Sequence, residues 1–174
     1  MSGLRGNIHH SCRSHQEEIT MSDNLDVRIV KLEPARVASA LGFGAEPEML
    51  AWNKLMAWAE SRGLPPENTR LFGFNNPNPA PGSPNYGYEV WMIVGPDITS
   101  DDTVIVKDMP GGLYAVTRCQ GVSTIYDTWQ KLVAWVERSP YRGLHAQCLE
   151  EHIRAGADVP PEELVLDLYL PVAE

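Results

Sequence analysis

The chain of 174 residues is poor in the features that mark several large functional classes. It has only three cysteines, Cys12, Cys119 and Cys148, and no C-x-x-C spacing, which excludes a disulfide framework and a zinc knuckle. No apolar run approaches the roughly 18 residues that cross a bilayer, and Met1 to Thr20 holds no continuous apolar stretch of signal-peptide type. A cytoplasmic protein without membrane contact is therefore expected. Basic side chains are few: 14 Lys and Arg stand against 23 Asp and Glu, for a formal charge of -9. The basic residues near the carboxyl end, such as Arg138, Arg142 and His145, are scattered singly. Phosphate binding needs clustered cations, so a direct nucleic-acid surface is excluded. Gly-rich phosphate loops, metal-ligand spacings and nucleophile motifs are also missing, and His9 and His10 are too isolated to form a metal site. No cofactor and no metal are expected.

What remains is a globular composition, 43% hydrophobic and 21% charged, in a chain long enough for one sizeable core. Residues 1 to about 25 read as a tail or extension. The stretch from Ser11 to Glu18 is polar and aperiodic, and Met21-Ser22-Asp23-Asn24 resembles a second start.

From Val27 onward the chain repeats itself. Trp52-Asn53-Lys54-Leu55-Met56-Ala57-Trp58-Ala59-Glu60 and Trp129-Gln130-Lys131-Leu132-Val133-Ala134-Trp135-Val136-Glu137 both read W-x-K-L-x-A-W-x-E at an offset of 77 residues. The same offset pairs Val27 with Val104, Ile29 with Val106, Ala38 with Ala115 and Gly44 with Gly121. This is an internal duplication, with repeats over about 27–103 and 104–173.

Each repeat reads as strand, helix, strand, strand. The first strands span Val27 to Leu41, with a bulge or kink at Pro34-Ala35, and Val104 to Arg118, broken at Pro110-Gly111-Gly112. Helices follow over about Pro47 to Ser61 and Ser123 to Arg138, with Pro47 in the first turn of one and Ser123 as N-cap of the other. Their apolar stripes are Trp52, Leu55, Met56, Ala59 and Trp129, Leu132, Val133, Val136. The closing strands are Arg70 to Asn75, Tyr86 to Val94, His145 to His152 and Leu164 to Val172, with surface loops between them. The fold class is α+β: two βαββ halves joined edge to edge under a pseudo-two-fold, each covering one sheet face with its helix.

Four segments resemble the GyrI-like family of small-molecule-binding domains, which also serves as the effector-binding domain of AraC-type and MerR-type multidrug-sensing regulators. They are Asn85-Tyr86-Gly87-Tyr88-Glu89-Val90-Trp91, Pro110 to Val116, the helix Thr128 to Glu137, and the ending from Pro160 through Tyr169-Leu170-Pro171-Val172. The resemblance covers about residues 26 to 174. It implies a ligand groove between the two helices and a preference for bulky, often cationic aromatic compounds. No helix-turn-helix is evident, so a free-standing module is expected.

Alternation in the strand places Glu89 and Trp91 on one face and Tyr88 and Val90 on the other. A carboxylate beside an indole on a central strand invites a cation. In similar proteins the Glu directly after the hydrophobic residue of the later strand points into the groove, which here is Glu150. The family often has Tyr where His152 stands. Tyr114, Tyr126, Phe74 and Tyr169 are the further aromatic candidates, with Asp167 and Tyr169 repeating the acid-x-aromatic pattern of Glu89 and Trp91. The helix tryptophans Trp52, Trp58, Trp129 and Trp135 read first as core residues packed on the sheet, and Trp58 and Trp135, at the edges of their stripes, are the candidate pair to reach the groove. The leading expectation is a receptor or sequestering module for a small organic cation. A hydrolase of reactive electrophiles using Glu89 and Glu150 on facing walls is the second reading. A gyrase-inhibitor-like module with a protein partner, or a homodimer, is the third.

Overall fold

The computed structural model describes residues 25–156 and 158–174. The amino-terminal extension anticipated above lies outside the described residues, apart from Leu25. In chain order the elements are β1 (Val27–Leu32), β2 (Ala35–Gly44), α1 (Pro47–Ser61), β3 (Leu71–Asn75), β4 (Tyr86–Ile93), β5 (Ile105–Met109), β6 (Gly112–Gln120), α2 (Ile125–Arg138), β7 (Arg142–Gly143), β8 (Leu149–Arg154) and β9 (Val165–Ala173). Short 3-10 turns precede β3, α2 and β9. Among the described residues no helix is long and apolar enough to cross a membrane.

All strand pairs are antiparallel, in the order β1-β6-β9-β8-β3-β4-β2-β5, with β7 added on β9. Read from either end, this order lists the same repeat-equivalent strands, which is the pseudo-two-fold expected from the duplication. The register confirms it: Ser39 faces Trp91 across β2 and β4, and the repeat partner of Ser39, Val116, faces Tyr169 across β6 and β9. The halves meet where β3 pairs with β8, Phe72 facing Glu151 and Gly73 facing Glu150.

One difference from the expected elements has a clear cause. The breaks at Pro34 and Pro110-Gly111-Gly112 are corners, not bulges within one strand. Beyond each corner the chain changes partner, so β1 pairs with β6 of the other repeat and β5 pairs with β2. Gly111 takes φ +73°, and a Cβ there would lie 2.5 Å from the Leu32 carbonyl oxygen. The later strand also starts further on than expected, at Leu149, because residues 144–148 form turns rather than ladder. Pro47 does open α1, whereas α2 is preceded by a turn at Val122–Thr124, and Thr124 rather than Ser123 takes its N-cap position, without a side-chain capping bond. The buried stripe of α2 runs through Ile125, Trp129, Leu132 and Val136, leaving Val133 exposed.

Each helix builds its own core on one sheet face. Ala51, Leu55, Trp58 and Ala59 of α1 pack with Ala38, Ala40, Tyr88, Val90 and Met92, while Leu132 and Val136 of α2 pack with Ala115, Cys119, Leu166 and Leu168. The alternate residues of the same strands form a third core on the opposite face, with Phe72, Phe74, Trp91, Tyr114, Val116, Leu149 and Tyr169.

That opposite face also holds three buried acids, each matched to a cation of the chain. Glu89 accepts bonds from Ser39 Oγ (2.6 Å), Trp91 Nε1 (2.6 Å), Asn76 Nδ2 (2.8 Å) and Lys107 Nζ. Glu151 takes both Arg70 Nε (2.6 Å) and Nη2 (2.9 Å), with Tyr169 Oη at 2.5 Å. Asp167 is held by Arg28 (2.8 Å) and by Arg118 through two bonds of 2.8 and 3.0 Å. Burial pushes the Glu89 carboxyl up, but the bonds from Lys107, Ser39, Asn76 and Trp91 outweigh it and hold its pKa below the ordinary value. Asp167 behaves alike, burial being outweighed by Arg118 and Arg28.

Two outcomes follow for stability. Leu55 and Leu132 are repeat equivalents, both fully buried, in separate cores. Leu55→Ala and Leu132→Ala should each cost about 2–5 kcal/mol, and the double variant should equal their sum within about 0.5 kcal/mol, as read by denaturant titration. Glu89 is ionised more readily in the folded chain than in the unfolded one. Its stabilisation is therefore complete above the unfolded pKa, about 4.3, and is lost as pH falls through the lower folded value. Glu89→Gln should cost roughly 1–3 kcal/mol at neutral pH and flatten the acid limb of the stability curve.

Candidate functional site: the groove between the helices

Where the two half-sheets meet, side chains of both helices converge on one face of the sheet. Glu150 and His152 rise there from β8, two residues apart and so on one face, while Glu151 between them points to the opposite core. The Glu150 carboxylate accepts Tyr88 Oη at 2.9 Å from β4 and Trp129 Nε1 at 3.3 Å from α2. Trp52 of α1 stands edge-on to His152, ring centroids 4.8 Å apart at 84°. His152 Nε2 lies 3.3 Å from Tyr88 Oη. The two helices thus contribute repeat-equivalent tryptophans to the two sides of one acid-bearing floor.

Close packing forms that floor. Gly73 faces Glu150 across the seam, and a Cβ on Gly73 would lie 2.2 Å from Tyr88 Oη. Only glycine leaves the room that Tyr88 needs to reach Glu150. In the first turn of α1, Glu48 accepts the Tyr86 hydroxyl at 2.6 Å.

The electrostatics differ from those of the opposite face. Burial raises the Glu150 pKa, with Glu48 adding to the rise, and the bonds from Tyr88 and Trp129 only partly offset it. Among the described residues no Lys, Arg or His forms an ion pair with Glu150, whereas Glu89, Glu151 and Asp167 all have such partners. Burial, then Glu150, push the Tyr88 hydroxyl well up, and burial followed by Glu48 raises Tyr86 to about 12. Burial lowers His152 to about 4, so its ring is neutral at physiological pH, and its buried Nδ1 has no hydrogen-bond partner among the described residues. Among the described residues there is no group of three or more His, Cys, Asp and Glu placed to hold a metal ion.

The residues singled out from sequence divide between two places. Glu150 stands in the groove. Glu89, Trp91, Phe74, Tyr114 and Tyr169 all lie in the opposite core, where Phe74 packs edge-on to Trp91 at 4.8 Å and Tyr114 to Tyr169 at 5.7 Å. Glu89 and Glu150 therefore do not face each other across one groove, because they sit on opposite faces of the sheet. Trp58 and Trp135 do not flank the acid either. Trp58 is enclosed in the α1 core with the Arg62 guanidinium 4.7 Å over its ring, and Trp135 packs in the α2 core. Tyr126 is 72% exposed in the first turn of α2. Trp52, Tyr88 and Trp129 were missed as groove residues. Their signal was present in the alternation that separates Tyr88 from Glu89 and in the shared stripe position of the two tryptophans.

Comparison with known proteins gives the family and the fold. No curated protein matches the chain in sequence. Among solved structures, EcmrR in a complex with DNA is 16% identical with a TM-score of 0.65, covering 86% of this chain, which spans 57% of the EcmrR chain. A hydrolase from Listeria innocua is 12% identical with a TM-score of 0.68 over 90% of this chain and 96% of its own. SAV2435 bound to tetraphenylphosphonium is 8% identical with a TM-score of 0.50, covering 86% of this chain and 94% of its own. At these identities the likeness is one of fold. The model of the GyrI-like small molecule binding domain matches residues 25–173, nearly the whole described chain, and the protein belongs to that family.

Proposed function

We propose that the groove binds a small organic cation, with Glu150 as its counter-charge and Trp52 and Trp129 as its aromatic sides. The observation that carries this reading is the unmatched carboxyl of Glu150. Three buried acids on the opposite face have Lys107, Arg70, Arg28 and Arg118 as partners, and Glu150, partly buried on the helix face, has only neutral donors among the described residues. Taking a carboxylate from water is costly without a positive partner, so a site of this kind gains most from a ligand that brings one. An indole face adds roughly 0.5–2 kcal/mol of cation–π attraction. The lipophilic cation held by SAV2435, a protein of the same fold, is consistent with that preference.

The role is reception or sequestration of the ligand, in a cytoplasmic setting. The alternative of a hydrolase with Glu89 and Glu150 as acid and base loses its geometry, because one substrate cannot touch both faces of the sheet. Glu89, tied to four donors, serves to stabilise the fold.

Glu150→Gln keeps size and removes charge. It should weaken a permanently charged aromatic cation by roughly 10- to 100-fold and leave a neutral analogue of equal shape nearly unchanged. The pH profile carries the same signature. Glu150 holds its proton to a higher pH than an ordinary carboxyl, so cation affinity should fall as pH drops through that raised value. Tyr86 and Tyr88 stay protonated across this range. The profile should be flat in Glu150→Gln, and calorimetry with both ligands over an acid-to-neutral series reads it. Equal weakening of both ligands by Glu150→Gln would show that the residue is structural.

A further inference from the structure

The hydrogen bonds around Tyr88 fix more than the charge of the ligand. A hydroxyl has one proton and two lone pairs. With a cation in the groove Glu150 is ionised and accepts the hydrogen bond that the Tyr88 hydroxyl donates along the 2.9 Å contact. The remaining contact of Tyr88 Oη, 3.3 Å to His152 Nε2, then requires the imidazole to donate. A neutral imidazole carries a single N–H, so Nδ1 is left as a bare acceptor. That atom is buried and has no partner among the described residues. A buried acceptor without a donor is unfavourable, and a ligand that supplies the donor would remove that cost. Trp52, packed edge-on to the ring and itself only partly buried on α1, borders the imidazole on the helix side.

We infer that His152 is a specificity-determining residue: its Nδ1 accepts a hydrogen bond from a ligand N–H, so the groove favours protonated amines, amidinium and guanidinium groups over fully substituted ammonium and phosphonium ions. The inference rests on the cation reading of Glu150 and narrows it. The acid sets the charge of the ligand, and the imidazole asks that the charged nitrogen still carry hydrogen. The two are linked through Tyr88, since ionised Glu150 holds the hydroxyl proton and thereby sets the tautomer of His152.

The test compares protonated dimethyl(naphthylmethyl)amine with its trimethylammonium counterpart by calorimetry at neutral pH, on the full chain and on His152→Phe and Glu150→Gln. The unmodified protein should bind the protonated amine about tenfold tighter, the equivalent of one charge-assisted hydrogen bond. His152→Phe should reduce that preference below about twofold while holding the trimethylammonium affinity within a few-fold. A second measurement needs no variant: in histidine-labelled protein, the Nδ1 nitrogen resonance of His152 should move on adding the amine and stay in place with the trimethylammonium ion. Equal affinities in the unmodified protein, an undiminished preference in His152→Phe, or an unmoved Nδ1 resonance would overturn the role of His152. If both ligands bind without preference and Glu150→Gln weakens both, only the His152 inference fails. If neither binds, or Glu150→Gln affects neither, the cation reading fails with it.

Discussion

The two half-sheets of this domain meet at one short central seam, β3 against β8, and the candidate site depends on what occupies its centre. Gly73 and Glu150 face each other there, and they are also repeat equivalents, so the pseudo-two-fold passes between them. A symmetric protein would carry the same residue at both positions. Two carboxylates would repel, and two side chains would exclude Tyr88, whose hydroxyl lies 2.2 Å from where a Gly73 Cβ would be. The duplication is broken at the one point where it cannot be kept. One half supplies space and a tyrosine, and the other supplies the acid.

Around that seam the sheet separates two electrostatic regimes. On the face away from the helices every buried acid has an internal cation, and the effect of the pairing is structural. The ion pairs bond across strands, tying β5, the start of β3 and the β1–β6 pair to the centre of the sheet. On the helix face Glu150 has neutral donors alone, and its pKa moves the opposite way. The same residue type thus stabilises the fold on one side and is left available on the other. At Glu150 burial is offset only in part by neutral donors, whereas at Glu89 and Asp167 bonds from cations outweigh it.

The exchange of edge strands gives this arrangement its rigidity. Because β1 runs along β6 and β5 along β2, each half contributes an edge to the other, and separating the halves breaks more than the two residue pairs of the seam. The helices rest on sheet regions already fixed from both ends. Trp52 and Trp129 are consequently held beside His152 and Glu150 by scaffolds with separate cores.

Much of this was legible in the amino-acid sequence. The repeat at 77 residues, with its paired tryptophans and matching Pro and Gly breaks, determined the α+β class, the pseudo-symmetry and the limits of both helices, because these follow from local periodicity and backbone restriction. Alternation also placed Glu89 and Trp91 together and Tyr88 apart from them. Sequence did not decide which face of each strand would meet a helix, and that choice set the site. Glu89 lies beside an indole and reads as a ligand for cations, yet Lys107, from a strand contributed by the other repeat, already occupies it. Glu150 is one of two adjacent glutamates, and only the crossing of β8 between the helices turned one inward to the groove and gave the other to Arg70. Trp52 and Trp129 were legible as helix-stripe residues, but their place at the acid came from the relative position of helices joined only through the sheet. Partners supplied by distant segments leave no mark on local spacing, so tertiary structure alone decided which carboxylate is matched and which is free.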